Sequence, residues 1–296
     1  MAHRAGLRLT PRRRAPREPP APDSDRALRS RRDRRRPAPP PGTCVVTSAE
    51  HPDATTAGKP ADGAVVARGR EAVVLDAGPG LVRRRYLDGR DTTTEVALHR
   101  HVAAHGYPVP ALHEQEPGGM VMERVDGPTL LEAYVAGTLD ADAVAAVLAD
   151  LHARLHALPP PLGTAGGDRV LHLDLHPANV LLGADGPVVV DWASGRTGDP
   201  ALDLGHTAIV LAEATVAGVD GAAGDVAAVA VTRPHLRALL VAFLAAVAER
   251  DPLARLDDVV ARRLRDGMPP DTVQAGARLL RDLASGAVDA APGTVA

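Results

Sequence analysis

Cysteine is almost missing from this chain. Cys44 stands alone among 296 residues, which excludes an internal disulfide, and with no apolar signal region at the N-terminus a reducing, cytoplasmic setting is expected. Aromatic residues are equally scarce. Phe243, Trp192, Tyr86, Tyr107 and Tyr134 are the whole set, too few for a base-stacking platform. Long apolar runs are also lacking. The longest, Ala238 to Ala248, is about half of the ~20 residues a bilayer requires, and Arg237 and Glu249 flank it. It reads as a buried helix, so no membrane partner is expected. Lysine is reduced to Lys59 while arginine is abundant, as GC-rich coding produces.

What is present is unevenly charged. Residues 1–42 hold 13 Arg against Glu18, Asp23, Asp25 and Asp33, a balance of +9; with a net charge of −3, the remainder carries −12. An acidic body argues against a phosphate-backbone footprint, so no nucleic-acid partner is expected for it. The Arg- and Pro-rich stretch itself has few large apolar residues and cannot offset its ordering entropy, so it reads as a disordered tail. A nucleic-acid or membrane-surface arm and a merely solvated extension both fit it.

From Gly63 onward, β-prone runs alternate with turn residues: 64–67, 72–75 and 81–87, read as three antiparallel strands. Thr92-Thr93-Thr94-Glu95 then has the pattern of a capping box opening a helix that stops near Gly106. Further β-prone stretches end in Met120-Val121-Met122-Glu123-Arg124-Val125 and the turn Asp126-Gly127-Pro128. Beyond this point the pattern becomes helical. Asp140 caps a long helix carrying Val144, Val147, Leu148, Leu151, Leu155 and Leu158 at helical spacing. More helices are expected at about 201–215, 234–249, 253–266 and 271–285, with 217–226 as a loop. The class is therefore α+β: a small antiparallel-sheet lobe with one helix over residues 43–125, then a larger, mainly helical lobe over 126–290.

The chemistry is concentrated between His172 and Asp191. Leu171-His172-Leu173-Asp174-Leu175-His176-Pro177-Ala178-Asn179 runs into Val180-Leu181-Leu182, a turn at 183–186, and Val188-Val189-Val190-Asp191-Trp192. A hairpin about that turn brings Asn179 and Asp191 to the same end. Two hard oxygen ligands are too few for an all-protein cage and suit Mg²⁺ completed by water and nucleotide phosphates. Asp174 is placed to accept or orient the proton of a substrate hydroxyl, which makes it the candidate general base.

The His-x-Asp-x-x-x-x-Asn spacing, the His-Pro-x-Asn within it, the following Asp-Trp, and Gly198-Asp199-Pro200-Ala201-Leu202-Asp203-Leu204 resemble the aminoglycoside phosphotransferase and choline kinase family. The resemblance implies a two-lobed protein-kinase-like fold and ATP- and Mg²⁺-dependent phosphorylation of a small-molecule hydroxyl. It implies Asp174 as catalytic base in a loop with His172, Asn179 and Asp191 as metal ligands, and Asp203 as support for the loop. More weakly, 122–127 is similar to the family's interlobe hinge, whose backbone at Glu123 and Val125 would meet adenine.

Three departures stand out. The third strand, Leu81-Val82-Arg83-Arg84-Arg85-Tyr86, has no lysine for the nucleotide phosphates. Period-two alternation places Val82, Arg84 and Tyr86 on one face, so Arg84 is the candidate phosphate cation, with Arg83 and Arg85 outward. Glu95 is then either its carboxylate partner or a cap. Leu173 stands where the family has glycine, which matters if the loop needs a positive φ. The first turn offers only Gly69, so residues 68–71 are a poor nucleotide loop. Two rivals remain: a nucleotide-binding protein without catalysis, and a metal-dependent hydrolase using His172, Asp174 and His176 on one strand face. His152 and His156, one helical turn apart, are expected to pack without function, and Trp192 to anchor the loop from below. Glu213, Asp220, Asp225, Asp251, Asp257 and Asp258 give the C-terminal part an acidic bias that would suit a cationic acceptor.

Overall fold

The computed structural model describes residues 63–217 and 232–286. The N-terminal tail, Cys44, Lys59 and most of the expected 217–226 loop lie outside them. The first lobe is a five-stranded antiparallel sheet in the order β1-β2-β3-β5-β4. Its strands are β1 Val65–Arg68, β2 Ala72–Asp76, β3 Leu81–Tyr86, β4 Leu112–Glu116 and β5 Gly119–Glu123. Helix α1, Thr93–Ala104, connects β3 to β4 and buries Glu95, Val96, Leu98, His99 and Val102. In β3 the predicted alternation holds in outline, Val82 and Tyr86 being buried with Arg84 between them.

The second lobe is helical, with two short strand pairs among the described residues. Its helices are α2 Leu130–Val135, α3 Ala141–Ala157, α4 Pro200–Ala217, α5 Arg233–Ala246, α6 Leu256–Arg265 and α7 Pro270–Ala284. The Asp140 side chain accepts from the Ala143 amide and starts α3 as expected. Helix α4 is buried nearly all round, through Leu204, Ala208, Ile209, Leu211 and Ala212, because α5, α6 and α7 surround it. Strands β6 Arg169–Leu171 and β9 Arg196–Gly198 pair with each other, as do β7 Val180–Gly183 and β8 Gly186–Val189. Together the two lobes give the α+β, two-lobed architecture expected from the sequence. None of the described helices is long and apolar enough to cross a membrane.

Two local readings need correction. Thr92 does not cap α1: its hydroxyl lies 3.4 Å from the Gly119 carbonyl, and the Asp91 carboxylate accepts from the Thr93 amide instead. Glu95 is thereby released for another partner. The capping box that does form belongs to α2, where Thr129 and Glu132 satisfy each other's backbone, a helix not anticipated from the sequence. The lobes are joined at residues 124–129, which lie along β7. Leu182 donates to the Pro128 carbonyl at 2.8 Å, and a Cβ at Gly127 would meet the Leu182 carbonyl oxygen at 2.1 Å, so only glycine fits there.

Candidate active site

Arg84 sits on the central strand β3 with its side chain 11% exposed. Its guanidinium reaches Glu95 Oε1 at 3.5 Å and Asp191 Oδ1 at 2.5 Å, which joins the sheet, α1 and the end of β8 in one contact. Glu95 also accepts from the Tyr86 hydroxyl at 2.7 Å. Burial opposes the charge on Arg84, but Asp191 and Glu95 outweigh it and hold its pKa above the ordinary value. Burial pushes the Glu95 carboxyl up, against the pull of Arg84 and the Tyr86 hydroxyl. Arg83 turns away to Glu116 at 2.9 Å.

The loop after β6 is fixed from beneath by Asp203, the first-turn acid of α4, which is fully buried. Asp203 accepts from the Leu173 amide at 2.6 Å, the His172 amide at 3.2 Å and His156 Nε2 at 2.9 Å. Burial alone would raise its pKa; His152 and His156 more than offset this and hold it well below the carboxylate range. Leu173 has φ of 59°, the left-handed conformation that a glycine would adopt freely, and its side chain is 1% exposed. Two backbone N–H groups donating to one carboxylate, and a buried isobutyl group, therefore hold a non-glycine residue at positive φ.

His172 is fully buried, donates from Nε2 to the Val190 carbonyl at 3.1 Å, and receives the Asp174 amide on Nδ1 at 3.2 Å. Its ring packs on Trp192, centroids 4.7 Å apart, and burial keeps it neutral by lowering its pKa. With both nitrogens engaged it has no free site for a substrate proton. The catalytic part anticipated for His172 is therefore revised to one of positioning. Trp192 is the anchor expected, 1% exposed and also edge-on to Tyr107.

Asp174 follows Leu173 in the same loop, its side chain 32% exposed. Asn179 Nδ2 donates to the Asp174 carbonyl at 2.9 Å and to its Oδ2 at 3.2 Å, and His176 Nε2 lies 3.7 Å from Oδ1. Burial would raise the Asp174 pKa, but His176 close by, with His206 and His172, depresses it below the usual range. Asp174 is thus a permanent carboxylate at neutral pH. All three side-chain contacts of Asn179 run through Nδ2, leaving Oδ1 without a partner among the described residues. The Val190 amide donates to the Asn179 carbonyl at 3.0 Å, so the hairpin does bring position 179 and Asp191 to one end. Asp191, at φ 65° and ψ 68°, is itself left-handed, and its Oδ2 has no partner among the described residues. Two hard oxygens on opposite sides of the hairpin fit Mg²⁺ that draws its other ligands from water and phosphate.

The hinge residues differ from each other. The Glu123 amide is already donated to the Ala111 carbonyl at 2.8 Å, whereas the Val125 amide has no partner among the described residues and is open to a ligand acceptor. His172, Asp174 and His176 do not converge as a metal triad, because His172 points under the loop and His176 toward Asn179. His152, His156 and Asp203 do lie close enough to ligate a metal. Most of their atoms are engaged, however: His156 Nε2 meets Asp203 Oδ2 at 2.9 Å, His156 Nδ1 faces the Arg250 guanidinium at 2.5 Å and His152 Nε2 faces Thr207 Oγ1 at 2.9 Å, while His152 Nδ1 lies 3.4 Å from Asp203 Oδ2 without a hydrogen bond among the described residues. This cluster secures Asp203, a purpose that sequence reading missed although the i, i+4 histidines were visible. The acidic bias of the C-terminal helices is also largely cancelled. Glu213 pairs with Arg263, Asp257 with Arg281 and Asp258 with Arg255; Asp251 is exposed without an ion pair among the described residues, and Asp220 and Asp225 lie outside them.

Comparison with known proteins bears on the family and the fold. A family model described as "Phosphotransferase enzyme family" matches residues 66–170 and 165–239. A streptomycin 6-kinase of Streptomyces griseus is 30% identical over 134 residues, covering 31% of this chain and 42% of that protein, so the match spans less than half of the relative. A thermostable mutant of the aminoglycoside phosphotransferase APH(4)-Ia, solved with AMP-PNP and hygromycin B, superposes with a TM-score of 0.51 at 16% identity. It covers 77% of this chain and 95% of its own, and shows the shared protein-kinase-like fold. With more than half of the chain matched and the loop from His172 to Asp203 built as described, this protein belongs to the phosphotransferase enzyme family.

Proposed function

We propose that the protein is an ATP- and Mg²⁺-dependent kinase that phosphorylates a hydroxyl of a small molecule of aminoglycoside, amino alcohol or sugar type. The observation that carries this reading is the assembly at one end of the hairpin. Asp174 and Asn179 touch within one loop, and Asp191 meets Arg84 there. The open Val125 amide and the Glu123 carbonyl side of the hinge would hold adenine. Arg84, fixed by Glu95, would neutralise phosphate charge. Asn179 Oδ1 and Asp191 would hold Mg²⁺, whose chemistry is to offset charge on the β- and γ-phosphates.

The hydroxyl oxygen bonds to the γ-phosphorus as the bond from that phosphorus to the ADP oxygen breaks, and the hydroxyl proton leaves by way of Asp174. A carboxylate with a depressed pKa is a weak base, so Asp174 acts mainly by orienting the hydroxyl for in-line attack. The family match and the similarity to a streptomycin kinase support this reading. The test is thermal stability with ATP, with Mg²⁺ and with both, followed by ADP release across a panel of hydroxyl acceptors. A rise in Tm that needs both ligands, with acceptor-dependent ADP release, is expected. No shift with both together would overturn the proposal.

A further inference from the structure

Beneath the loop that carries Asp174, on the side facing α6, lies a cavity of about 220 Å³ that the phosphoryl-transfer scheme does not use. Its floor is apolar, formed by Leu173, Leu202 and Val259. Its walls are cationic: Arg196 from β9, and Arg262 and Arg265 from α6, stand around it, with Arg255 and Asp258 at one edge. Arg255 is spoken for by Asp199 at 2.8 Å and Asp258 at 2.7 Å. Arg262 has Asp266 at 3.4 Å, yet its buried Nε makes no hydrogen bond among the described residues. Arg196 and Arg265 have no carboxylate within ion-pair distance among the described residues, and both are exposed at the mouth.

His206 completes the wall. It is 3% exposed, and its buried Nδ1 has no hydrogen-bond partner among the described residues. An orphaned, buried imidazole nitrogen costs stability unless something satisfies it. Burial pushes its pKa down to about 3, against the pull of Asp174 and with Arg263 and Arg262 adding to the depression, so it is neutral. Arg196 is likewise depressed, first by burial and then by Arg262 close by. Burial is the larger cause of both shifts, and the neighbouring arginines add to it.

We propose that this cavity is a binding site for a small oxyanion, of phosphate or phosphate-monoester type. Planar guanidinium groups engage such a group bidentately, the neutral imidazole N–H adds a donor, and the apolar floor keeps water from competing. The anion would tie β9 to α6 at the back of the Leu173 turn. The proposal stands on this cavity alone and does not depend on phosphoryl transfer.

The experiment follows the ring-proton resonances of the histidines while inorganic phosphate replaces chloride at constant ionic strength, with His206 assigned by His206→Asn. Saturable movement of the His206 resonance is expected, and at least tenfold weaker binding in the Arg196→Gln/Arg265→Gln variant, whose side chains are exposed and whose fold should be intact. A His206 resonance unmoved by phosphate, or moved equally in the double variant, would overturn the site. A second measurement separates two sources of the anion. If the double variant raises KM only for acceptors bearing a phosphate group, the anion is part of the acceptor. If it abolishes an effect of free phosphate on turnover of neutral acceptors, the ligand is a free ion; either result supports the site.

Discussion

Replacing Leu173 tests whether the loop is held at positive φ by its backbone or by its side chain. The isobutyl group is 1% exposed, so Leu173→Ala removes a fully buried side chain, a loss of about 2–5 kcal/mol. Alanine would still occupy φ of 59°, which costs about 1–2 kcal/mol for a residue with a Cβ. Leu173→Gly loses the same side chain but sheds that penalty. At an ordinary position glycine is less stable than alanine by about 0.5–1 kcal/mol. Here the relief matches or exceeds that deficit, so the glycine variant should be the more stable of the two by up to about 1.5 kcal/mol, with both below wild type. Urea denaturation of the three proteins, compared at equal m, measures the order directly. An alanine variant more stable than the glycine variant would refute a strained Leu173. Because Asp203 holds the loop through backbone amides, the glycine variant should also retain phosphoryl transfer.

Asp203→Asn leaves a neutral amide facing His156 and two backbone N–H donors; breaking a buried charged network of this kind costs about 3–5 kcal/mol, and a loss under about 1 kcal/mol would contradict its place as the loop's support. Asp174→Ala should abolish phosphoryl transfer while the Tm shift with Mg²⁺ and ATP persists; equal turnover in variant and wild type would remove Asp174 from the reaction. Asp191→Ala should lose that Mg²⁺-dependent shift, which isothermal titration can check against unchanged binding. Burial lowers the pKa of His99, His152, His172 and His206. The unfolded chain therefore binds more protons below about pH 6.5, and stability should fall on acidification through that value by up to about 1.4 kcal/mol per histidine per pH unit. Asp174 and Asp203, depressed carboxylates, add to the loss only below about pH 4. Denaturation midpoints that agree between pH 7 and pH 5.5 would show those imidazoles to be accessible to protons.

Strand alternation and helix periodicity made the architecture legible, since each depends on neighbours two to four residues apart. The site was legible where its residues lie close in sequence, as from His172 to Asp191, and where β3 alternation singled out Arg84. What stayed hidden is tertiary. That Glu95 serves Arg84 and Tyr86 rather than a helix cap depends on where α1 packs against the sheet. The support of Asp203 by His156 and Arg250 joins residues 94 positions apart, which no local spacing encodes. The sign of φ at Leu173 was posed by the sequence but is decided by Asp203, thirty residues downstream.

Charge shows the same limit. The acidic residues of the C-terminal part, from Glu213 to Asp258, suggested a surface suited to a cationic acceptor. In the folded lobe, acidic side chains are spent on arginines, Glu213 of α4 on Arg263 of α6 and Asp258 on Arg255 at the start of its own helix. Such pairs neutralise each other over a few ångströms and contribute little to the potential beyond a Debye length of about 8 Å. What a ligand meets is the residue of this pairing. Next to the loop of Asp174 that residue is positive, since Arg196 and Arg265 are left without carboxylates around an apolar floor. A net charge therefore bounds solubility and long-range attraction, whereas recognition at the site depends on which ions remain unpaired.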